Sequence, residues 1–137
     1  MKKNSHIKRI PYIRIGVSDM KKSVSFYQDI LGLEKISEWP TGAIFDIAGV
    51  ELGLELKATP EICLLVDDVD KAYRNLKDKG VKFVTEPKDQ AWGGRTAGFV
   101  DPDGNAFEVE SFQCKVCGKF CESYREFLED HLRKHSR

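Results

Sequence analysis

A pattern that occurs twice, at an offset of 49 residues, constrains this chain more than any other feature. Ile13, Ile15 and Val17 alternate with Tyr12, Arg14 and Gly16, the period-two signature of a half-buried strand. Asp19 is then placed to cap a helix that carries Met20, Val24, Tyr27 and Leu31 on one stripe and stops at Gly32. The same order returns further on. Ile62, Leu64 and Val66 alternate with Glu61, Cys63 and Leu65, and Asp68 precedes a helical stripe of Val69, Ala72, Tyr73 and Leu76 that stops at Gly80. Val17 matches Val66, Asp19 matches Asp68 and Lys22 matches Lys71.

Each helical pattern leads into three strand-like runs. The first set is Glu34–Trp39, Ala43–Ala48 and Glu51–Lys57; the second is Lys82–Thr85, Thr96–Asp101 and Ala106–Ser111. Pro40-Thr41-Gly42, Gly49, Pro87, Gly93-Gly94 and Pro102-Asp103-Gly104-Asn105 punctuate them. Each half therefore reads β-α-β-β-β. Such a unit cannot bury its own sheet face, so two copies in one chain argue for an α+β fold of paired modules.

Composition narrows the class. The 137 residues suffice for one ordinary domain and a small appendage. Lys plus Arg and Asp plus Glu number 22 each, so no global field draws in nucleic acid or a membrane. No apolar run is long enough to span a bilayer, and no apolar segment follows the basic start, so the expectation is a cytoplasmic protein without a signal peptide. Of four cysteines, three fall within residues 114–121, near two histidines, which favours zinc in a reducing compartment over disulfides. Cys63 stands in an apolar run and reads as core. Neither a Ser-His-Asp or Cys-His nucleophile set nor a phosphate-binding glycine loop is evident.

FYQDILGL at 26–33 and DPDGNAFEVE at 101–110, together with the repeat, resemble the vicinal oxygen chelate superfamily, the group of glyoxalase, bleomycin-resistance and extradiol-dioxygenase proteins. The resemblance spans residues 8–111 and implies a mixed sheet curved into a cup. It does not imply one activity, because the group includes lyases, isomerases, epimerases, dioxygenases, thiol transferases and metal-free drug binders. It also implies a homodimer. Fold pairing in the group commonly involves two chains.

Strand alternation supplies candidates for the cup. If the leucines at 52, 54 and 56 face the helices, Glu51, Gly53 and Glu55 face the other way. The matching sets are Glu61, Cys63 and Leu65; Ala106, Glu108 and Glu110; and Tyr12, Arg14 and Gly16. By resemblance, the four positions that can hold a divalent cation are Tyr12, Glu55, Glu61 and Glu108. The group often has His where this chain has Tyr12 and Glu61. Three readings stay open. Glu55, Glu61 and Glu108 could hold a hard cation such as Mg²⁺, Mn²⁺ or Fe²⁺, with one carboxylate moving a proton. Arg14 could replace the cation as an ion-pair partner. The glutamates could instead be spread out and solvated. Trp39, Phe45, Trp92 and Phe99 could wall an organic ligand or serve as ordinary core aromatics. Trp92-Gly93-Gly94-Arg95 resembles the loop that precedes the DPDGN motif in many members of the group.

The C-terminal segment resembles a C2H2 zinc finger of ββα form. Cys114, Cys117, His131 and His135 have the spacing of a tetrahedral zinc site, and Leu128 matches the finger's core leucine. Cys121 stands near the usual core aromatic and could compete as a ligand; Phe120 or Phe127 could fill the core. The base-reading positions fall near Tyr124, Phe127 and Asp130, with Glu122, Glu126 and Glu129 alongside. Aromatics and acids are poor readers of bases or phosphates, so a structural or protein-docking finger is favoured over a DNA reader. The expected organisation is a glyoxalase/dioxygenase-like domain at 1–111 and a finger at 112–137. Three roles follow. The chain is a lyase- or isomerase-type enzyme using Glu55, Glu61 and Glu108, with Tyr12, Arg14 and Trp92 contacting ligand. Otherwise it is a metal-free small-molecule binder, or a regulator whose finger binds protein or DNA.

Overall fold

A computed structural model describes residues 7–91, 93–113, 118–122 and 124–126. The strands are β1 (Arg9–Val17), β2 (Glu34–Trp39), β3 (Gly42–Ile47), β4 (Val50–Leu56), β5 (Glu61–Leu65), β6 (Lys82–Phe83), β7 (Lys88–Asp89), β8 (Gly94–Val100), β9 (Ala106–Gln113) and β10 (Phe120–Cys121). The helices are α1 (Met20–Ser25), α2 (Val69–Asp78) and the single turn α3 (Tyr124–Glu126). By contacts the chain forms two compact units, Tyr12–Ile62 and Cys63 onward, the latter joined by the residues up to Pro11.

In the first unit the strand order is β2-β3-β4-β1. β1 runs parallel to β4, with Tyr12 opposite Glu51 and Val17 opposite Leu56, while β2, β3 and β4 form an antiparallel meander. The Asp19 carboxylate accepts from Lys22 N at 3.1 Å and starts α1. The core holds Val24, Ala43, Phe45 and Leu54, flanked by Ile15, Val17, Met20, Tyr27, Leu33 and Leu52. Ile15 and Val17 of β1 and Leu52 and Leu54 of β4 come from the apolar halves of the alternation expected to face the helices.

The end of the first helix differs from expectation. Phe26–Ile30 is a π-helical turn, in which Leu31 N donates to Phe26 O at 3.0 Å. The wider turn swings the stripe by one position. Tyr27 stays inward, Leu31 is left 51 % exposed, and Leu33 packs in its place.

In the second unit the order is β5-β9-β8-β6, with β7 also on β8 and β10 on β9. The Asp68 carboxylate accepts from Lys71 N at 3.0 Å and starts α2. The core is Val66, Val69, Ala72, Ala97 and Val109, with Leu64, Tyr73, Leu76, Phe83 and Phe99 packed on it. Phe99 lies 5.4 Å from both Phe83 and Phe107. Phe45 and Phe99, candidates for walls of a ligand site, are therefore core aromatics. The Arg95 guanidinium forks onto Asp70 at 2.8 and 2.9 Å and reaches Asp89 at 3.0 Å. Hydrogen bonding from Arg95 holds the Asp70 carboxyl below its usual range. Asp101 accepts from the backbone of Asp103 and Asn105 and from Asn105 Nδ2, which turns the chain into β9 as the DPDGN segment leads one to expect.

β9 continues past Ser111 to Gln113 and pairs with β10, Phe112 opposite Cys121 and Gln113 opposite Phe120. Leu65, Phe112 and Cys121 make a small buried cluster. Cys121 thus fills a core position among described residues, while Phe120 is 41 % exposed and does not. Lys8 Nζ bridges Asp67 and Glu122, each at 3.1 Å, and Arg9 donates to the Glu122 carbonyl at 2.6 Å. Cys114, Cys117, His131 and His135 lie outside the described residues. No helix among the described residues is long and apolar enough to cross a membrane.

Two outcomes follow from this packing. A Cβ on Gly16 would run into the backbone carbonyl of Ala58, which has no side-chain freedom to yield. Gly16→Ala should cost about 2–3 kcal/mol, read as a lower urea midpoint at unchanged m-value. The Asp70–Arg95 pair is partly exposed, so Asp70→Asn should cost under about 1 kcal/mol at neutral pH. Because the folded pKa is the lower one, that contribution is complete above the unfolded carboxylate's pKa and disappears as pH falls through the folded value. The stability difference between wild type and Asp70→Asn, followed by denaturation at descending pH, should close in acid.

Candidate functional site

The second faces of the strands carry the polar candidates. On β1, the Tyr12 ring lies over Gly53 of β4, where a Cβ would strike the Tyr12 hydroxyl. Arg14, two residues on, sends Nη2 to within 3.6 Å of a Glu61 oxygen and donates to the Thr59 carbonyl at 3.1 Å. Glu55 sits beside Gly42 and the Trp39 indole, with Oε1 2.6 Å from where a Gly42 side chain would begin. Glu51 is 1 % exposed on the same strand.

β5 opens in the last two residues of the first unit and continues as the first strand of the second. Its alternation sends Leu64 to the helix core and leaves Glu61, Cys63 and Leu65 on the other side. β9, its neighbour in the sheet order, presents Glu108 there, at the position paired with Gly98 of β8. The Cys63 thiol donates to Glu108 Oε1 at 3.5 Å. One donor atom each from Glu61, Cys63 and Glu108 lies within 4.8 Å of the others. Donors about 2.0–2.3 Å from a shared ion stand no more than about 4.6 Å apart, so this cluster is already at the scale of a coordination shell. Two carboxylates and a thiol are also ordinary ligands for a divalent ion. The residues fit a bound cation.

The grouping differs from the expected trio. Glu61 and Glu108 come together, Cys63 joins them, and Glu55 stands with Trp39 and Gly42 outside the cluster. Trp92 lies outside the described residues. Cys63 carries a signal that composition hides. Its apolar neighbours mark it as core, and it is 1 % exposed, yet it shares the phase of Glu61.

Paired β-α-β-β-β patterns on a mixed sheet with few helices define the fold class. The chain belongs to the Glyoxalase/Bleomycin resistance protein/Dioxygenase superfamily, whose family model matches residues 9–109. It is 38 % identical to the uncharacterized protein YraH of Bacillus subtilis (strain 168), over 71 % of this chain and 93 % of that one. It is 31 % identical to the metallothiol transferase FosB of Staphylococcus haemolyticus (strain JCSC1435), over 77 % of this chain and 84 % of that one. Among solved structures it is similar to the Mn(II)-bound glyoxalase from Novosphingobium aromaticivorans, with 30 % identity and a TM-score of 0.66, covering 77 % of this chain and 39 % of that one.

Burial of the two described cysteines makes a checkable outcome. Cys63 and Cys121 are 1 % and 2 % exposed, so iodoacetamide should leave both unmodified in the folded protein and label both in denaturant, as read by peptide mass mapping.

Proposed function

We propose that the chain is a divalent-metal-dependent enzyme of the lyase or isomerase type, acting on a small hydroxy- or oxo-compound held in the cup of the sheet. The observation that carries this reading is the convergence of Glu61 and Glu108 on β5 and β9. Likeness to a Mn(II)-bound glyoxalase supports it. Their oxygens suit Mg²⁺, Mn²⁺ or Fe²⁺. When bound, such a cation polarises a substrate oxygen. The protein's own groups do the rest. Arg14, 3.6 Å from Glu61, offsets the repulsion between two carboxylates at close range. Glu108 accepts a proton from the carbon next to the substrate carbonyl and returns it to the neighbouring position.

The Arg14–Glu61 pair also supports a second reading, in which Arg14 supplies the positive charge and the cup binds a ligand without metal. At the C-terminus we assign a zinc site to Cys114, Cys117, His131 and His135, with a structural or protein-docking role rather than DNA reading. Support comes from their spacing and from the order β9 hairpin, β10, then α3. Thiolate ligands of this kind suit a reducing compartment, which supports a cytoplasmic protein, and the habit of the family supports a homodimer.

Metal content separates the readings. Full-length protein should carry two divalent ions per chain, and the double variant Glu61→Gln, Glu108→Gln should carry one. Glu108→Gln alone should lower turnover of an α-oxo substrate by about 10²–10⁴-fold while ligand binding persists. One ion in wild type, unchanged in the double variant, would leave the metal-free reading standing.

A further inference from the structure

Resting on the metal-dependent reading above, we infer that Cys63 is a third protein ligand of the same cation, which makes the site a mixed carboxylate–thiolate centre that prefers zinc, iron or cobalt to magnesium. The ligand positions that the family resemblance carries over do not include Cys63. Three observations do. Its Sγ lies 3.5 Å from Glu108 Oε1, nearer than the span of a shared coordination shell. Its donor atom is within 4.8 Å of the Glu61 carboxylate as well. Strand geometry fixes it two residues from Glu61 on the same side of β5, so both are held by one rigid element rather than by a loop. At 1 % exposure the sulfur is shielded from water and from competing thiol chemistry.

Ligation would replace the S–H bond by a metal–sulfur bond. The thiol proton passes to Glu108, already its acceptor, and from there to solvent. A thiolate is a soft donor and Mg²⁺ a hard acceptor that keeps its oxygen shell, whereas Zn²⁺, Fe²⁺ and Co²⁺ accept sulfur readily.

The test uses the full chain loaded with Co²⁺ and its Cys63→Ser variant. Finger thiolates contribute equally to both spectra, so the difference reports Cys63 alone. The expected result is near-ultraviolet thiolate-to-cobalt absorption in wild type that drops in the variant. A fall of at least about tenfold in zinc affinity at the second site should accompany it, with Mg²⁺ affinity unchanged. Cys63→Ala serves as a second variant, and circular dichroism checks that each is folded. Two ions per chain with an unchanged spectrum and unchanged zinc affinity in both variants would overturn the ligand assignment and leave the enzyme reading intact. A single ion per chain in wild type that the double variant Glu61→Gln, Glu108→Gln still carries would overturn both.

Discussion

A strand has two faces, and in β5 they are put to opposite uses. Leu64 must point at the helix-side core with Val109 and Ala97, because burial there is what holds the second unit together. That demand leaves no choice about Glu61 and Cys63. They are carried to the other side by the pleat itself, with β9 next in the strand order to bring Glu108 within reach. The polar cluster is therefore a by-product of apolar packing. A slip of one residue in the register of β5 would turn Glu61 toward the helix-side core and Leu64 away from it, so the core protects the geometry of the cluster.

Close carboxylates repel, and an apolar setting makes the repulsion worse. The protein relieves it locally in two ways. Arg14 approaches Glu61 within the first unit, and the Cys63 thiol offers a hydrogen to Glu108 within the second. Arg14 is itself anchored on the Thr59 carbonyl, so its charge is aimed rather than left to wander. On the metal-dependent reading proposed above, these two contacts let the cluster carry concentrated negative charge.

Much of this was legible in the sequence, for reasons that differ by element. Asp19 and Asp68 announce helix starts because a capping carboxylate three residues ahead of a backbone N–H is a local device. β2 matches its expected span, Glu34–Trp39, since Pro40-Thr41-Gly42 bounds it sharply. The π-helical turn at Phe26–Ile30 was not legible. Nothing in FYQDI separates it from an α-helical turn, and tertiary packing of Leu33 decides it. β7 is two residues long and has no pattern to read. At the site, alternation identified the correct face for Glu61, Cys63 and Glu108. It could not say that Glu55 would stand apart with Trp39, because lateral position within a sheet depends on strand order.

β9 is one uninterrupted strand from Ala106 to Gln113, with Glu108 near its start and the pairing with β10 at its end. Mechanically, such a strand is a stiff beam. A tug on the β10 end is carried along hydrogen bonds to β8 rather than absorbed by a hinge. The C-terminal appendage is thus grafted onto the same timber that carries a site carboxylate, and any chain that shed it by cutting near Ser111 would also strip Phe112 from the cluster it shares with Leu65. Tail and sheet are thus joined at this junction as a splice, through one strand and one small buried cluster.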